Sequence, residues 1–152
     1  MKLLIAVLLS QLAGIIGSFF TRDAISEWYV YLVRPSFAPP SWVFAPVWTT
    51  LYLLMGIASY LVWKKWGKVK GVGMALTLFG VQLVLNTLWS IIFFGLRAPG
   101  AAFIEILCLW IAIVATMVAF YRISTTAMWL LVPYLLWVSF AGYLNYAFWM
   151  LN

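Results

Sequence analysis

The sequence contains no histidine and a single cysteine, Cys108. One thiol cannot form a disulfide within the chain, so the cysteine count says nothing about the redox compartment. Without imidazole and with only one thiolate, the chain cannot supply the ligand cluster of a protein zinc site, and we predict no metal site. A haem held by histidine is excluded for the same reason.

Charged residues are also scarce. Only 8% of the 152 residues are charged, whereas 67% are hydrophobic, and the mean hydropathy is +1.09. Since roughly a quarter of the residues in a soluble domain are charged, this chain lacks the polar surface that water requires. The composition predicts an integral membrane protein. The three acidic residues, Asp23, Glu27 and Glu105, have no spacing that predicts a catalytic carboxylate pair.

Aromatic residues, in contrast, are abundant. The chain has ten Trp, eight Tyr and eleven Phe. Two belts of aromatic residues at the membrane interfaces need far fewer rings than this. Some of the rings are therefore predicted to lie inside the protein.

Hydropathy and turn residues divide the chain into five helical segments. We predict an all-α integral membrane bundle, a single domain over 1–152, with helices at about 3–21, 41–63, 71–95, 101–121 and 127–151. Each apolar run is about as long as a bilayer span. The longest connection, 22–40, is predicted to act as a lid. The first run also resembles a signal peptide, but no small-residue cleavage site follows Thr21, which favours a retained helix.

The segment 35–52 combines prolines with tryptophans. Pro39 and Pro40 lack a backbone N–H and end an extended loop, and Ser41 is predicted to cap the helix that follows. Large apolar side chains then recur at spacings of four, three and four, on one helix face: Phe44, Trp48, Leu51 and Met55. An aromatic face under a rigid loop suits a pocket for a flat apolar ligand. The alternative is helix packing with an interfacial tryptophan.

Two later helices carry polar and aromatic residues on one face. In the third helix these are Gln82, Asn86, Trp89 and Phe93. Amides in mid-membrane need partners, so they face inward, where they either bond neighbouring helices or contact a ligand. In the fifth helix a proline, a large ring, a small residue and an amide are each four apart: Pro133, Trp137, Ala141 and Asn145. This line forms either the wall of a slot or a groove for helix packing.

Small residues and one carboxyl complete the pattern of the spans. Pairs of small residues four apart, Ala13 with Gly17 and Gly14 with Ser18, predict close helix contacts within the bundle or between subunits. Glu105 lies within a span, where a carboxyl is costly unless it is paired or protonated and faces protein. It also lies near the end of its helix, so reaching the interface is the alternative.

The basic residues cluster near helix ends and predict membrane topology rather than nucleic-acid binding. With five spans, six of the nine basic residues share one side: Lys2, Lys64, Lys65, Lys68, Lys70 and Arg122. Arg22, Arg34 and Arg97 share the other. The positive-inside rule then places the N-terminus in the cytoplasm and the lid outside, in a bacterial cell membrane.

Three sequence blocks resemble the translocator protein family, also called the tryptophan-rich sensory protein or peripheral-type benzodiazepine receptor family. They are PPSWVFAPVWTTLYLLMGIASYLVW, QLVLNTLWSIIFFG and PYLLWVSFAGYLNYAFWMLN, in the second, third and fifth helices. The resemblance implies a five-helix bundle, usually dimeric, with a ligand pocket under the first loop. It also implies porphyrins such as protoporphyrin IX, isoquinoline carboxamides or benzodiazepines as ligands, with no required cofactor.

The resemblance also implies which residues line the pocket. They are Tyr31 from the loop, Phe44, Ala45, Val47, Trp48 and Leu51 from the second helix, Asn86, Trp89 and Phe93 from the third, and Trp137, Ala141 and Leu144 from the fifth. Animal members carry a cholesterol motif near the end of the fifth helix. Here Leu144 and Tyr146 are present, but no basic residue follows them, which indicates a bacterial-type member and argues against sterol binding.

Three functions follow as hypotheses. The first is a binding protein for porphyrins in sensing, transport or homeostasis, with Arg22 or Arg34 meeting the propionates. The second is light- and oxygen-dependent breakdown of a bound porphyrin, in which Trp137, Tyr31 and Trp48 would be the oxidisable residues. The third is a structural or partner-binding membrane protein whose pocket holds lipid.

Overall fold

Five helical stretches, each long and apolar enough to cross a membrane, make up the computed structural model, which describes all residues from Met1 to Asn152. They are built from helices α1 (Lys2–Glu27), α2 (Phe44–Trp63), α3 (Val72–Ser90), α4 (Pro99–Tyr121), α5 (Thr125–Leu130) and α6 (Val132–Leu151). Helices α5 and α6 together form the fifth span. There are no strands, which confirms the predicted all-α architecture of five spans.

The first helix is longer than predicted and the lid is shorter. Helix α1 continues past Thr21 to Glu27, so the connection covers 28–40 rather than 22–40. The segment 22–27 is polar but contains neither glycine nor proline, so nothing in it breaks the helix. A short 3₁₀ turn, Tyr29–Tyr31, then redirects the chain before Pro35.

The start of the second span is not capped as the sequence predicted. A 3₁₀ turn, Ser41–Val43, follows Pro40 and leads directly into α2. The Ser41 hydroxyl accepts no hydrogen bond from a backbone amide, so the predicted N-cap is wrong. Its oxygen instead lies 3.5 Å from an Nη of Arg34, which donates to it from the lid.

The third and the fifth spans each depart once from regular α-helix. Helix α3 ends in one π-helical turn, Ile91–Gly95. The fifth span is interrupted at Leu131, two residues before Pro133. A proline has no N–H and its ring crowds the preceding turn, so an interruption there agrees with the predicted kink.

The helices are arranged in a ring in the order α1, α2, the fifth span, α4 and α3, with α3 returning to α1. Two glycines allow α1 and α2 to pack closely. The position of a Cβ on Gly56 is 2.6 Å from Cα of Val7, and that of a Cβ on Gly14 is 2.5 Å from the ring of Tyr52. The small residues Ala13 and Gly14 of α1 therefore pack within the bundle. The backbone carbonyl of Ala13 also accepts a hydrogen bond from Thr87 Oγ1 at 3.2 Å.

Charged residues gather at the two ends of the bundle as the sequence predicted. At one end, Nζ of Lys2 lies 5.4 Å from the ring of Trp63, and Nζ of Lys65 donates to the carbonyl of Ile123 at 2.6 Å. At the other end, Arg97 forms an exposed ion pair with Glu27 at 3.0 Å. The lid lies at this second end and therefore opposite the lysine-rich loop.

Candidate functional site

A cavity of about 380 Å³ lies beneath the lid, between α1, α2, the end of α3 and α6. Its wall carries tryptophan, phenylalanine and tyrosine rings together with hydroxyl and amide groups, but no acidic, basic or thiol side chain. The wall can therefore stack on a flat apolar molecule and form a few neutral hydrogen bonds with it.

Nine of the twelve predicted pocket residues lie on this wall. They are Phe44, Ala45, Trp48, Asn86, Trp89, Phe93, Trp137, Ala141 and Leu144. The α2, α3 and α6 faces, read from helical spacing, thus converge on one cavity. Asn145, which the spacing put on the same line as Trp137 and Ala141, lies on the wall as well.

The other three predicted residues do not line the cavity. Tyr31 is 80% exposed, and Tyr29, which is only 4% exposed, takes the place expected for it. The 3₁₀ turn Tyr29–Tyr31 turns the first tyrosine inward and the last outward. Val47 and Leu51 pack in the main hydrophobic core instead.

The prediction missed the wall that α1 contributes. This wall consists of Gln11, Gly14, Ile15, Gly17, Ser18, Thr21 and Ile25. Two of its members are glycines, which shape a cavity by having no side chain. The sequence signal was the small-residue seam, and that pattern predicts close helix packing as readily as a cavity wall. Tyr52, Ser90, Phe94 and Phe148 were missed too.

The rings of the wall are held in contact with one another. Trp48 stacks on Tyr52 with ring centroids 5.5 Å apart, and Trp89 stacks on Phe93 at 5.1 Å. Phe44 meets the edge of Trp137 at 6.0 Å. Rings fixed in this way lose little further conformational freedom when a planar molecule packs against them.

A buried hydrogen-bond network lies behind the rings. The Tyr52 hydroxyl donates to Oδ1 of Asn86, whose Nδ2 donates to the Tyr134 hydroxyl at 2.9 Å. That hydroxyl donates to Oε1 of Gln82 at 2.7 Å. Asn86 therefore bonds neighbouring helices and also lines the cavity, whereas Gln82 bonds neighbouring side chains away from the cavity wall.

A second pair of bonds fixes the end of the cavity near α4. Nε1 of Trp89 donates to Oδ1 of Asn145 at 2.9 Å, and Nδ2 of Asn145 donates to the carbonyl of Pro99 at 2.8 Å. Nε1 of Trp137, in contrast, is buried without any hydrogen-bond partner. A buried N–H without an acceptor is costly, so this indole is a buried donor on the wall with unused bonding capacity.

The lid is fastened over the cavity. The backbone of Val33 exchanges two hydrogen bonds with the side-chain amide of Asn152, at 2.9 and 3.1 Å, and Phe37 stacks on Tyr143 at 5.0 Å. The guanidinium of Arg34 lies 5.0 Å from the ring of Tyr29. Burial raises the pKa of Tyr29 above its ordinary value of 10.0, although Arg34 partly opposes this, so the phenol is neutral near pH 7.

Comparison with known proteins identifies the family of the chain. The chain is 49% identical to the tryptophan-rich protein TspO of Chlorobaculum tepidum over 91% of this chain and 88% of that protein. It is 42% identical to the tryptophan-rich protein TspO of Archaeoglobus fulgidus over all of this chain and 97% of that one. It is 44% identical to the translocator protein of Homo sapiens over 93% and 85% of the two chains. A sequence model of the TspO/MBR family matches residues 6–150, so the protein is a member of the TspO/MBR family.

Proposed function

We propose that this protein binds porphyrins of the protoporphyrin IX type, and also isoquinoline carboxamides and benzodiazepines, for sensing, transport or homeostasis of tetrapyrroles. The observation that carries the proposal is the aromatic cavity beneath the lid. Its volume of about 380 Å³ lies within the range of about 300–1,000 Å³ that is usual for small-molecule sites. Flat apolar ligands would be held by stacking on its rings, and no cofactor or metal is needed for binding.

Arg34 is the residue best placed to meet an acidic group of such a ligand. It lies above Tyr29 and beside Ser41, and both of these residues are on the cavity wall. A guanidinium at the mouth of an apolar cavity would bind the propionates that a porphyrin carries at its edge. Arg22 is exposed on the extended part of α1 and is not on the cavity wall.

The second candidate function is photochemical breakdown of the bound porphyrin in the presence of oxygen. In its favour, Trp48 and Trp137 are both on the wall, and the N–H of Trp137 has no partner within the protein. Tyr31, the third residue predicted for this chemistry, lies outside the cavity, so Tyr29 would take its place. The porphyrin itself would carry the light-driven chemistry, and the protein would position it.

Several properties of the assembly belong to the same proposal. We expect a homodimer in a bacterial cell membrane, with the N-terminus in the cytoplasm and without a bound nucleic acid. Sterol binding is not expected, because no basic residue follows Tyr146. A cavity occupied only by lipid is the competing explanation.

The test is a titration with protoporphyrin IX in the dark followed by illumination, with tryptophan emission and the porphyrin absorption band as readouts. We would compare wild type with Trp137→Phe and with Trp129→Phe, a control ring that is 63% exposed and off the cavity wall. Saturable quenching in the dark supports binding. Its absence at all accessible concentrations would contradict the proposal and favour the lipid-filled cavity.

Illumination separates the two candidate functions. Loss of the absorption band that is slowed by Trp137→Phe, but not by Trp129→Phe, favours breakdown of the porphyrin. We expect such slowing to exceed the roughly twofold to tenfold loss of dark affinity that one contact typically gives. If the free dye in detergent is lost as fast as the bound dye, the photochemical function is wrong and a binding protein remains.

A further inference from the structure

The residues that line the cavity differ sharply in exposure. Those from α3 and α6 are buried or half-buried, and Tyr29 of the lid is buried. The exposed lining residues are four, and all of them lie on α1 or α2: Ile15, Ser18, Ala45 and Thr49. The cavity is therefore open along the seam between these two helices, at residues that belong to membrane spans.

The seam is closed below this opening. Nε2 of Gln11 donates to the backbone carbonyl of Thr49 at 3.0 Å, which ties α1 to α2. One turn further along α1, Gly14 lies against the ring of Tyr52. The helices are thus in close contact deep in the membrane, whereas Ser18 and Ala45, which lie nearer the lid, are exposed.

The water-facing side is closed more firmly. The lid is attached to the last residue of the chain by the two bonds between Val33 and Asn152, and to α6 by the stacking of Phe37 on Tyr143. Opening the lid toward water breaks all of these contacts and exposes Tyr29. Between α1 and α2 the side-chain hydrogen bond is the one from Gln11 to Thr49, and it lies below Ser18 and Ala45.

We propose that ligands reach the cavity from the hydrocarbon core of the bilayer, through a lateral portal between α1 and α2 bordered by Ile15, Ser18, Ala45 and Thr49. This inference rests on the proposed binding of flat apolar molecules, which concentrate in the bilayer before they meet the protein. The lid then serves as a fixed roof, and the side chains that border the portal at Ser18 and Ala45 are small.

The test bridges the portal and the lid separately. In a Cys108→Ala background, which removes the one native thiol, Ser18→Cys with Ala45→Cys spans the portal, and Val33→Cys with Asn152→Cys spans the lid. Each pair is joined with a short bifunctional methanethiosulfonate reagent and later released with reductant. Methyl methanethiosulfonate on the same pairs adds bulk without a bridge and serves as the matched control. Protoporphyrin IX association and dissociation are followed by stopped-flow quenching of tryptophan in nanodiscs.

Relative to the same cysteine pair modified with methyl methanethiosulfonate, the portal bridge should slow association and dissociation by the same factor, about tenfold or more, because a gate alters the path and not its end points. Both rates should recover after reduction, which also shows that the bridged protein was folded. The lid bridge should leave both rates within about twofold of those of the lid pair modified with methyl methanethiosulfonate.

Three results would overturn the proposal that ligands enter through the portal. They are slowing by the lid bridge instead of the portal bridge, unchanged rates with both bridges, and a portal bridge that lowers affinity while dissociation stays the same. The last result would make Ser18 and Ala45 ligand contacts rather than a gate. Absence of saturable quenching in the unbridged protein would instead overturn the proposed binding function, and the portal with it.

Discussion

At the scale of single residues, the buried polar groups separate into satisfied and unsatisfied ones. Asn86, Gln82 and Asn145 use their amides to bond across helices. Both carboxyl oxygens of Glu105 and the indole nitrogen of Trp137 are buried without a partner. Trp137 faces the cavity, where a ligand can supply an acceptor, whereas Glu105 is not part of the cavity wall.

The prediction that Glu105 faces protein is confirmed by its exposure of 7%, and the alternative of reaching the interface is wrong.

Replacing Glu105 with an apolar side chain of similar length should stabilise the fold. Glu105→Met removes a buried carboxyl without hydrogen bonds, and such a group costs about 1–3 kcal/mol or more. We expect the thermal midpoint in a fixed detergent to rise by roughly 2–4 °C for each kcal/mol gained. Glu27→Gln is the control, because its ion pair with Arg97 is exposed and should contribute less than about 1 kcal/mol. A lower midpoint for Glu105→Met would show that the carboxyl has a stabilising partner.

At the scale of helices, the contact of α1 with α2 depends on glycine. A Cβ at Gly56 would lie 2.6 Å from Cα of Val7, a backbone atom that cannot move without shifting α1. A Cβ at Gly14 would press on the ring of Tyr52, whose hydroxyl is bonded to Asn86. Helices that approach through small residues in this way gain close backbone packing in lipid, where the hydrophobic effect does not hold helices together.

Replacing a glycine with alanine should therefore change the stability of the fold by an amount that depends on what surrounds the added methyl group. We expect Gly56→Ala to destabilise the fold by about 1–3 kcal/mol, as overpacking does. Gly80→Ala has open space around its Cβ and should be neutral or stabilise by up to about 1 kcal/mol, since alanine is the better helix former. Thermal midpoints of the two variants in one detergent make the comparison. Equal effects at both positions would mean that α1 and α2 do not pack as described.

The helix scale also explains which parts of the site were predictable. Large residues at spacings of three and four marked the inward faces of α2, α3 and α6, because tryptophans and amides in a span need protein neighbours. The α1 wall at Gly14 and Gly17 was not predictable, since an absent side chain gives no signal of what fills the space. Tyr31, which the family resemblance implied, lies outside the cavity because the 3₁₀ turn Tyr29–Tyr31 turns Tyr29 inward instead.

At the scale of the whole molecule, charge is distributed unequally between the two ends of the bundle. The lysine-rich end carries Lys2, Lys64, Lys65, Lys68, Lys70 and Arg122 and has no acidic residue. The lid end carries Arg22, Arg34 and Arg97 together with Asp23 and Glu27, and Arg97 is paired with Glu27. Because basic residues flanking spans are retained in the cytoplasm, the asymmetry favours one orientation over the other.

This orientation is testable with single cysteines in whole bacterial cells. In a Cys108→Ala background, Ser36→Cys places a thiol in the lid and Gly67→Cys places one in the lysine-rich loop, and both positions are exposed. A membrane-impermeant maleimide should label Ser36→Cys in intact cells and Gly67→Cys only after permeabilisation, because the positive-inside rule predicts that the lysine-rich end lies in the cytoplasm. The reverse pattern would place the lid and the mouth of the cavity in the cytoplasm. In that case Arg34 would face ligands made inside the cell, and the positive-inside rule would not govern insertion of this chain.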